Sequence, residues 1–326
     1  MLKALTTILV ALSLAAGVAA RPLEGLRAGA APRTPSAETP YRIFDSSGRA
    51  STLEAILAAM DETEVVFVGE THNDPAAHLL ELELLRRARE RFGDAAVGAA
   101  RRRSLALSLE MFERDVQLIL DEYLGGLISE RHFLASSRPW NNYQSDYRPL
   151  VELAREQGLA VIAANAPARY VNRVSRLGPA TLKDLSTQAR TWLPPLPYGA
   201  ASAAYAARFN RLMQAPQVDP KAPAAPSPHG AAFLLDAQSL RDASMGYFIA
   251  EHLRQHPRGL VLHVNGTFHS EERRGAPEQL LRYRPQTRLL VVTIIPDKSY
   301  PNFDKERMSG LGDFVILTDP ALPRTF

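Results

Sequence analysis

The stretch Val65-Val66-Phe67-Val68-Gly69-Glu70-Thr71-His72-Asn73-Asp74-Pro75 decides the fold. Its four leading apolar residues suit a strand buried on both faces, as in a parallel sheet covered by helices. Gly69 lets the chain turn sharply or lets a ligand approach the backbone. Asp74 can cap a helix, and Pro75 stands at the first helical position, where its missing N–H costs nothing. Strand, tight turn and helix start thus follow one another directly, and His72 is left in the turn.

The same alternation runs through the chain. Further buried-strand patterns occur at residues 105–109, 159–164, 260–264, 289–295 and 314–317. Helical patterns fill the gaps at 75–91, 115–123, 147–157, 202–213 and 232–253. Strands alternating with helices predict an α/β fold with a mainly parallel β-sheet flanked by helices.

Around this body lie irregular segments. Lys3, the short apolar run 4–16 and the small residues Val18-Ala19-Ala20 read as a signal peptide over 1–20, too short for a membrane span. Residues 21–40, rich in Ala, Pro and Arg, read as a disordered leader. The domain proper is expected over 41–326, interrupted by a Pro-rich loop at 217–230, and no later apolar run is long enough to span a membrane. A length of 326 residues with 46% hydrophobic content supports a substantial core.

Charge and cysteine content narrow the partners. The formal charge is only +3, and the triplet Arg101-Arg102-Arg103 has no interleaved aromatic residues, so it reads as a solvated loop and not as a nucleic-acid site. The chain has no cysteine. A lipid anchor on cysteine is therefore excluded, and the mature chain is expected to be soluble in the periplasm or secreted. Any metal must be held by nitrogen and oxygen donors.

Ligands of open α/β sheets bind beyond the carboxyl ends of the strands. Those ends carry Glu70 and His72, then Glu110, then Asn165, then Asn265 and His269, and two of them share the spacing Gly-x-x-His: Gly69 to His72 and Gly266 to His269. Two imidazoles with one or two carboxylates can hold a divalent metal with a position open for water. A Glu beside a His can work as an acid–base pair without metal. An imidazole or a tyrosinate can ligate haem iron. Residue types alone do not rank these. Asn165 and Asn265 read as turn-formers, His263 as a core histidine, and His78, His132, His229, His252 and His256 as surface residues.

Six segments in order give the chain a resemblance to the ChaN family of haem-binding uptake proteins, within the Tiki superfamily. They are Val66 to His72, Leu107 to Phe112, Trp140 with Tyr143 and Tyr147-Arg148-Pro149-Leu150, Val161 to Pro167, Ala237-Gln238 with Arg241-Asp242 and Met245, and Gly266-Thr267-Phe268-His269. The resemblance implies a bacterial envelope protein that binds haem in iron uptake, with the haem at the carboxyl rim of the sheet and a homodimer enclosing a stacked pair. It implies tyrosine ligation, for which Tyr143 and Tyr147 are the candidates beside Trp140, with Tyr147 preferred. Gln238, Arg241 and Met245, at i, i+3 and i+7 of one helix, would flank the haem. Two departures are the missing lipid-acceptor cysteine and the Pro-rich segment, which reads as an insertion that bears on dimerisation.

The wider superfamily implies a rival function, a metal-dependent hydrolase or protease. There His72 and His269 would hold a divalent ion, with Glu70 and Glu110 as ligand or as base for the attacking water. A metal-free esterase would use Glu70 and His72 as its catalytic pair. Gly-x-Ser-x-Gly and His-Glu-x-x-His are absent from the sequence, so the common serine hydrolase and zincin readings fail.

Overall fold

Strand β1 (Tyr41–Asp45) opens a sheet completed by β2 (Val65–Glu70), β3 (Leu105–Glu113), β4 (Ala160–Asn165), β5 (Leu260–Gly266), β6 (Leu289–Pro296) and β7 (Phe314–Thr318). The structure, a computed structural model, describes residues 40–93, 102–214 and 232–326. The expected signal segment, the leader up to residue 39 and the Pro-rich loop lie outside the described residues. The strand order is β1-β7-β6-β2-β5-β3-β4. Every pairing is parallel except the edge pair β1–β7.

Between the strands run α1 (Leu53–Ala59), α2 (Pro75–Ala88), α3 (Gln117–Leu124), α4 (Glu130–Ser137), α5 (Arg148–Glu156), α6 (Ala168–Leu177), α7 (Thr187–Arg190), α8 (Ala203–Gln214), α9 (Leu234–Gln255), α10 (Ala276–Tyr283) and α11 (Lys305–Met308). No helix among the described residues is long and apolar enough to cross a membrane. The expected start of α2 is observed: Asp74 accepts from the N–H of Ala76 at 3.1 Å, with Pro75 at the first helical position.

Two cores follow from the two-residue period of strands. Val66 and Val68 of β2, with Leu107, Leu109, Leu262 and Val264, meet α1 to α5 on one face. Val65 and Phe67, with Ala106, Val261 and Val291, meet α9 and α10 on the other. The β3–β5 pair is small and polar on this second face: His263 Nδ1 lies 2.9 Å from Ser108 Oγ, both fully buried. His263 is therefore the core histidine expected of it.

The topology builds the rim. The chain leaves β2, passes through α2 and returns as β3, and β5 later fills the place between them. Glu70 then stands opposite Gly266, and Leu109 opposite Val264. A strand inserted at a change of order is where open α/β sheets make their crevices. β3 also runs on past Glu110, its expected end, to Glu113. Leu109 faces Ala163 and Glu113 faces Asn165, so four steps of β3 match two of β4. Such a bulge bends the strand and re-aims its side chains. At the opposite edge, Arg103 is not the solvated residue expected: its guanidinium closes the bottom of the sheet, donating to the carbonyls of Met60 at 3.0 Å and Gly259 at 2.7 Å.

Candidate functional site

The first rim loop carries Glu70 and His72. Glu70 ends β2 with its side chain 1% exposed, and His72 Nδ1 lies 2.6 Å from Glu70 Oε1. The same oxygen accepts from the Tyr147 hydroxyl at 2.9 Å. The His72 ring meets the Trp140 ring edge-on, with centroids 4.7 Å apart. Burial disfavours the His72 imidazolium, but the Glu70 and Glu110 carboxylates outweigh it and raise the pKa above the ordinary histidine value.

The second loop centres on His269, which is buried between two carboxylates. Its Nδ1 lies 2.6 Å from Asp242 Oδ1 and its Nε2 3.2 Å from Glu110 Oε1. Burial again opposes the charge, yet Glu110 and Asp242 raise the pKa to about 10. Glu110 is held well below the usual carboxylate range: burial works against this, while His269, His72 and the Gly266 N–H, 2.8 Å from its Oε2, stabilise the anion. The Gln238 side-chain amide nitrogen lies 3.1 Å from His269 Nε2.

The two Gly-x-x-His loops interlock. A Cβ on Gly266 would stand 2.8 Å from Cε1 and Nε2 of His72. A Cβ on Gly69 would stand 2.8 Å from Ser270 Oγ and 3.1 Å from Thr267 Cα. Each glycine thus leaves the space that the other loop fills, which explains the paired spacing without any appeal to a bound ligand.

A cavity of about 710 Å³ opens over this rim. His72, Glu110 and His269 form its floor, Gln238 and Arg241 of α9 one wall, and Pro139, Trp140 and Phe326 an apolar wall. Arg241 has no ion-pair or hydrogen-bond partner among the described residues. Glu70, His72, Glu110, His269, Trp140, Gln238 and Arg241 are thus gathered in one place.

Four expected residues are not on the cavity wall: Glu70, which lies behind His72, and Tyr143, Tyr147 and Met245. Tyr143 and Tyr147 are 2% and 1% exposed, in the core beneath the first loop. Burial raises both phenol pKa values, and Glu70 and Glu81 raise that of Tyr147 further. The cause is a turn of π-helix at Tyr143–Tyr147 that leads both rings inward against α2 and α4. Met245 is fully buried against the second sheet face. It shares a stripe with Gln238 and Arg241, but seven residues at 1.5 Å each carry it roughly 10 Å down α9, from rim to sheet. Among the described residues, no group of three or more His, Cys, Asp or Glu side chains is disposed to hold a metal ion. The candidates are engaged with one another instead.

Sequence reasoning missed other residues. Asp242, which holds His269, lies within the α9 segment that carried the resemblance, and its i+4 spacing from Gln238 was an available signal. His78, expected at the surface, is 5% exposed. Its Nδ1 lies 3.1 Å from Glu81 Oε2 and its Nε2 3.2 Å from the carbonyl of His72 and 3.5 Å from Asp146 Oδ2. Asn142 donates to the same carbonyl at 2.9 Å and to Asp146 at 2.7 Å. Thr325 also donates to Asp146, at 2.8 Å, tying the tail that carries Phe326 to this network. The i, i+3 pair His78 and Glu81 on a helix face with Ala77, Leu84 and Leu85 was the readable signal. Asn265 is the local turn-former expected, donating to the Gly266 carbonyl and to Ser270, whereas Asn165 donates at 3.0 Å to the Glu110 carbonyl and steadies the bulge.

The profile of the family described as haem-binding uptake, Tiki superfamily, ChaN matches residues 56–280. The chain belongs to this family. The match runs from within α1 to within α10, takes in β2 to β5 and includes both Gly-x-x-His loops. Among solved structures, the ChaN of Campylobacter jejuni, described for cofacial haem binding, superposes with a TM-score of 0.60 at 15% identity. The superposition covers 86% of this chain and 97% of that one, and at this identity it speaks for the shared fold. The chloroplastic protein RETICULATA-RELATED 5 of Arabidopsis thaliana is 24% identical over 260 residues. Those residues are 77% of this chain and 33% of that protein, so the ChaN-family chain spans about a third of the length of this curated relative. An erythromycin esterase EreC mutant in its open conformation reaches a TM-score of 0.45 at 13% identity over 86% of this chain and 83% of its own, too distant to weigh.

Proposed function

We propose that this chain is an exported haem-binding protein serving iron or haem uptake, and that haem lies in the cavity at the carboxyl rim of the sheet. The observation that carries the reading is the coincidence of a haem-binding family match over residues 56–280 with a rim cavity of about 710 Å³. The residues present fit the ligand. Trp140, Pro139 and Phe326 offer an apolar wall to a flat macrocycle, Arg241, without a partner among the described residues, suits a propionate, and His72 brings an imidazole to the same space. The cavity is open on its outer side, and a second subunit facing it would enclose the ligand from both directions.

Haem titration of the chain lacking residues 1–20, followed by optical spectroscopy and sedimentation, tests the reading. A saturable Soret shift is expected, with Trp140→Ala and Arg241→Ala each weakening binding roughly tenfold, equivalent to about 1.4 kcal/mol. A shift in sedimentation toward twice the mass on haem addition would place the second subunit. A spectrum that never departs from that of free haem would overturn the proposal.

A further inference from the structure

We propose that this chain has a second ligand site, a cavity between α9 and the segment 183–196, which takes a small amphipathic anion: a carboxylate or phosphate carried on a flat apolar body. The proposal is independent of what the rim cavity binds.

The cavity has a volume of about 590 Å³. Small-molecule sites span roughly 300–1,000 Å³, so a single compact ligand fits. It shares no lining residue with the rim cavity. Both lie along α9, but the rim uses Gln238 and Arg241, whereas this cavity uses Tyr247, Phe248, Glu251 and Gln255. Six residues from Arg241 to Tyr247, at 1.5 Å each, put it roughly 9 Å or more further down the helix.

Arg114 supplies the anchor for a negative head. It follows the end of β3 directly, in a 3-10 turn, and its guanidinium lies flat against the fold, 4.2 Å from the centre of the Phe248 ring. One donor is used: Nη1 donates to Gln117 Oε1 at 2.8 Å. Gln117 is in turn fixed to the edge of β4, accepting from the Ala163 N–H and donating to the Val161 carbonyl, each at 2.8 Å. The other guanidinium donors have no partner among the described residues, and Arg114 makes no ion pair there. Burial disfavours its charge and draws the pKa below the ordinary arginine value, and Asp121 and Tyr247 oppose this without cancelling it. A partly desolvated cation without a counter-charge gains from an anion that enters beside it, and the guanidinium fork suits carboxylate and phosphate alike.

The surroundings add charge of the same sign. Lys183 and Arg190 line the cavity, and neither side chain has a partner among the described residues. The carboxylate on the wall, Glu251, is already paired with Arg254 of the same helix. Three cations thus face the space, and the acid beside them is engaged elsewhere. The body of the ligand meets a different surface. Leu193 and Pro194 are buried, Tyr247 and Leu196 are half-buried, and the Tyr247 ring stands edge-on to Phe248 with centroids 5.1 Å apart. Apolar walls with a few convergent polar groups at one end are the usual form of a site for such a molecule.

The test is isothermal titration calorimetry of the full mature chain, without added haem, using probes of one shape: naphthoate, naphthyl phosphate and the uncharged naphthalene methanol. One-to-one binding with a Kd below about 1 mM is expected for at least one of the anions, with the alcohol weaker by roughly tenfold or more. The tighter of the two anions identifies the head group. Arg114→Met should weaken the anion roughly tenfold or more. Lys183→Glu combined with Arg190→Glu should do the same and leave the thermal midpoint unchanged, because both residues are exposed, so lost binding is then separated from lost folding. Equal affinity for the alcohol and the anions would overturn the role assigned to the cations. Absence of saturable binding by every probe would overturn the site. So would binding that neither cation variant weakens, and its loss in Arg241→Ala would then place the probe in the rim cavity.

Discussion

Raising the pH should loosen the second rim loop, and the size of the effect follows from the surroundings of His269. Its ring is buried, with Asp242 at 2.6 Å on one nitrogen and Glu110 at 3.2 Å on the other, and its pKa stands near 10 against an ordinary 6.5. A group whose folded pKa lies above its unfolded value stabilises the fold fully below the unfolded pKa and loses that contribution as pH rises through the folded one. The window is therefore pH 6.5 to about 10. At about 1.4 kcal/mol per pH unit, the whole contribution is on the order of 5 kcal/mol, a large share of an ordinary domain stability. Urea unfolding followed by tryptophan fluorescence at pH 6.5, 7.5, 8.5 and 9.5 should show stability falling by roughly 1 kcal/mol per pH unit. His78, raised to about 9, adds to the slope over the lower part of the window, so the His269 share is read by difference. Asp242→Asn removes one of the two carboxylates. It should lower stability at pH 6.5 by roughly 3–5 kcal/mol and flatten the slope. A slope unchanged in Asp242→Asn, or an NMR titration of the His269 ring near 6.5, would refute the argument that the carboxylates hold its proton.

Three further perturbations test the neighbouring structure. His78→Ala leaves the fully buried Glu81 and the buried Asp146 without their cation; calorimetry should record a loss of roughly 3–5 kcal/mol, with His78→Gln recovering part of it. Gly69→Ala drives a Cβ to within 2.8 Å of Ser270 Oγ and 3.1 Å of Thr267 Cα, and overpacking of this kind costs roughly 1–3 kcal/mol in urea unfolding. Ser270→Ala in the same chain should restore part of that loss. Asp74→Ala removes the cap of α2 and a buried partner of Thr318 and Arg324; a fall of about 1–2 kcal/mol is expected, and an unchanged midpoint would show that the cap contributes nothing.

Local rules carried the sequence a long way. The strand-turn-helix unit from Val65 to Pro75 was readable because an apolar run, a cap residue and a proline at the first helical position act within a few residues of one another. The rim residues Glu70, Glu110 and His269 were readable because parallel strands deliver their carboxyl ends to one edge. His72 followed from the same turn, and the family from six short segments kept in order.

Tertiary structure decided what the rim residues do. The sequence does not say that β5 enters between β2 and β3, and that insertion sets Gly266 against His72 and Glu110 against His269. It does not say that β3 bulges after Leu109, which keeps Glu110 inside a strand. Nor does it say that His78, expected at the surface, would find Asp146, sixty-eight positions away in the chain, and so tolerate burial. The same holds for Tyr143 and Tyr147: their chemistry was legible, while their direction depended on a π-turn and on the core it faces. By itself the sequence determined the elements, the rim and the family, because backbone preference and hydrophobic period are local. Which nitrogen, oxygen or ring meets which was settled by contacts between segments far apart in the chain, where burial and charge pairing are decided by the partner and not by the residue.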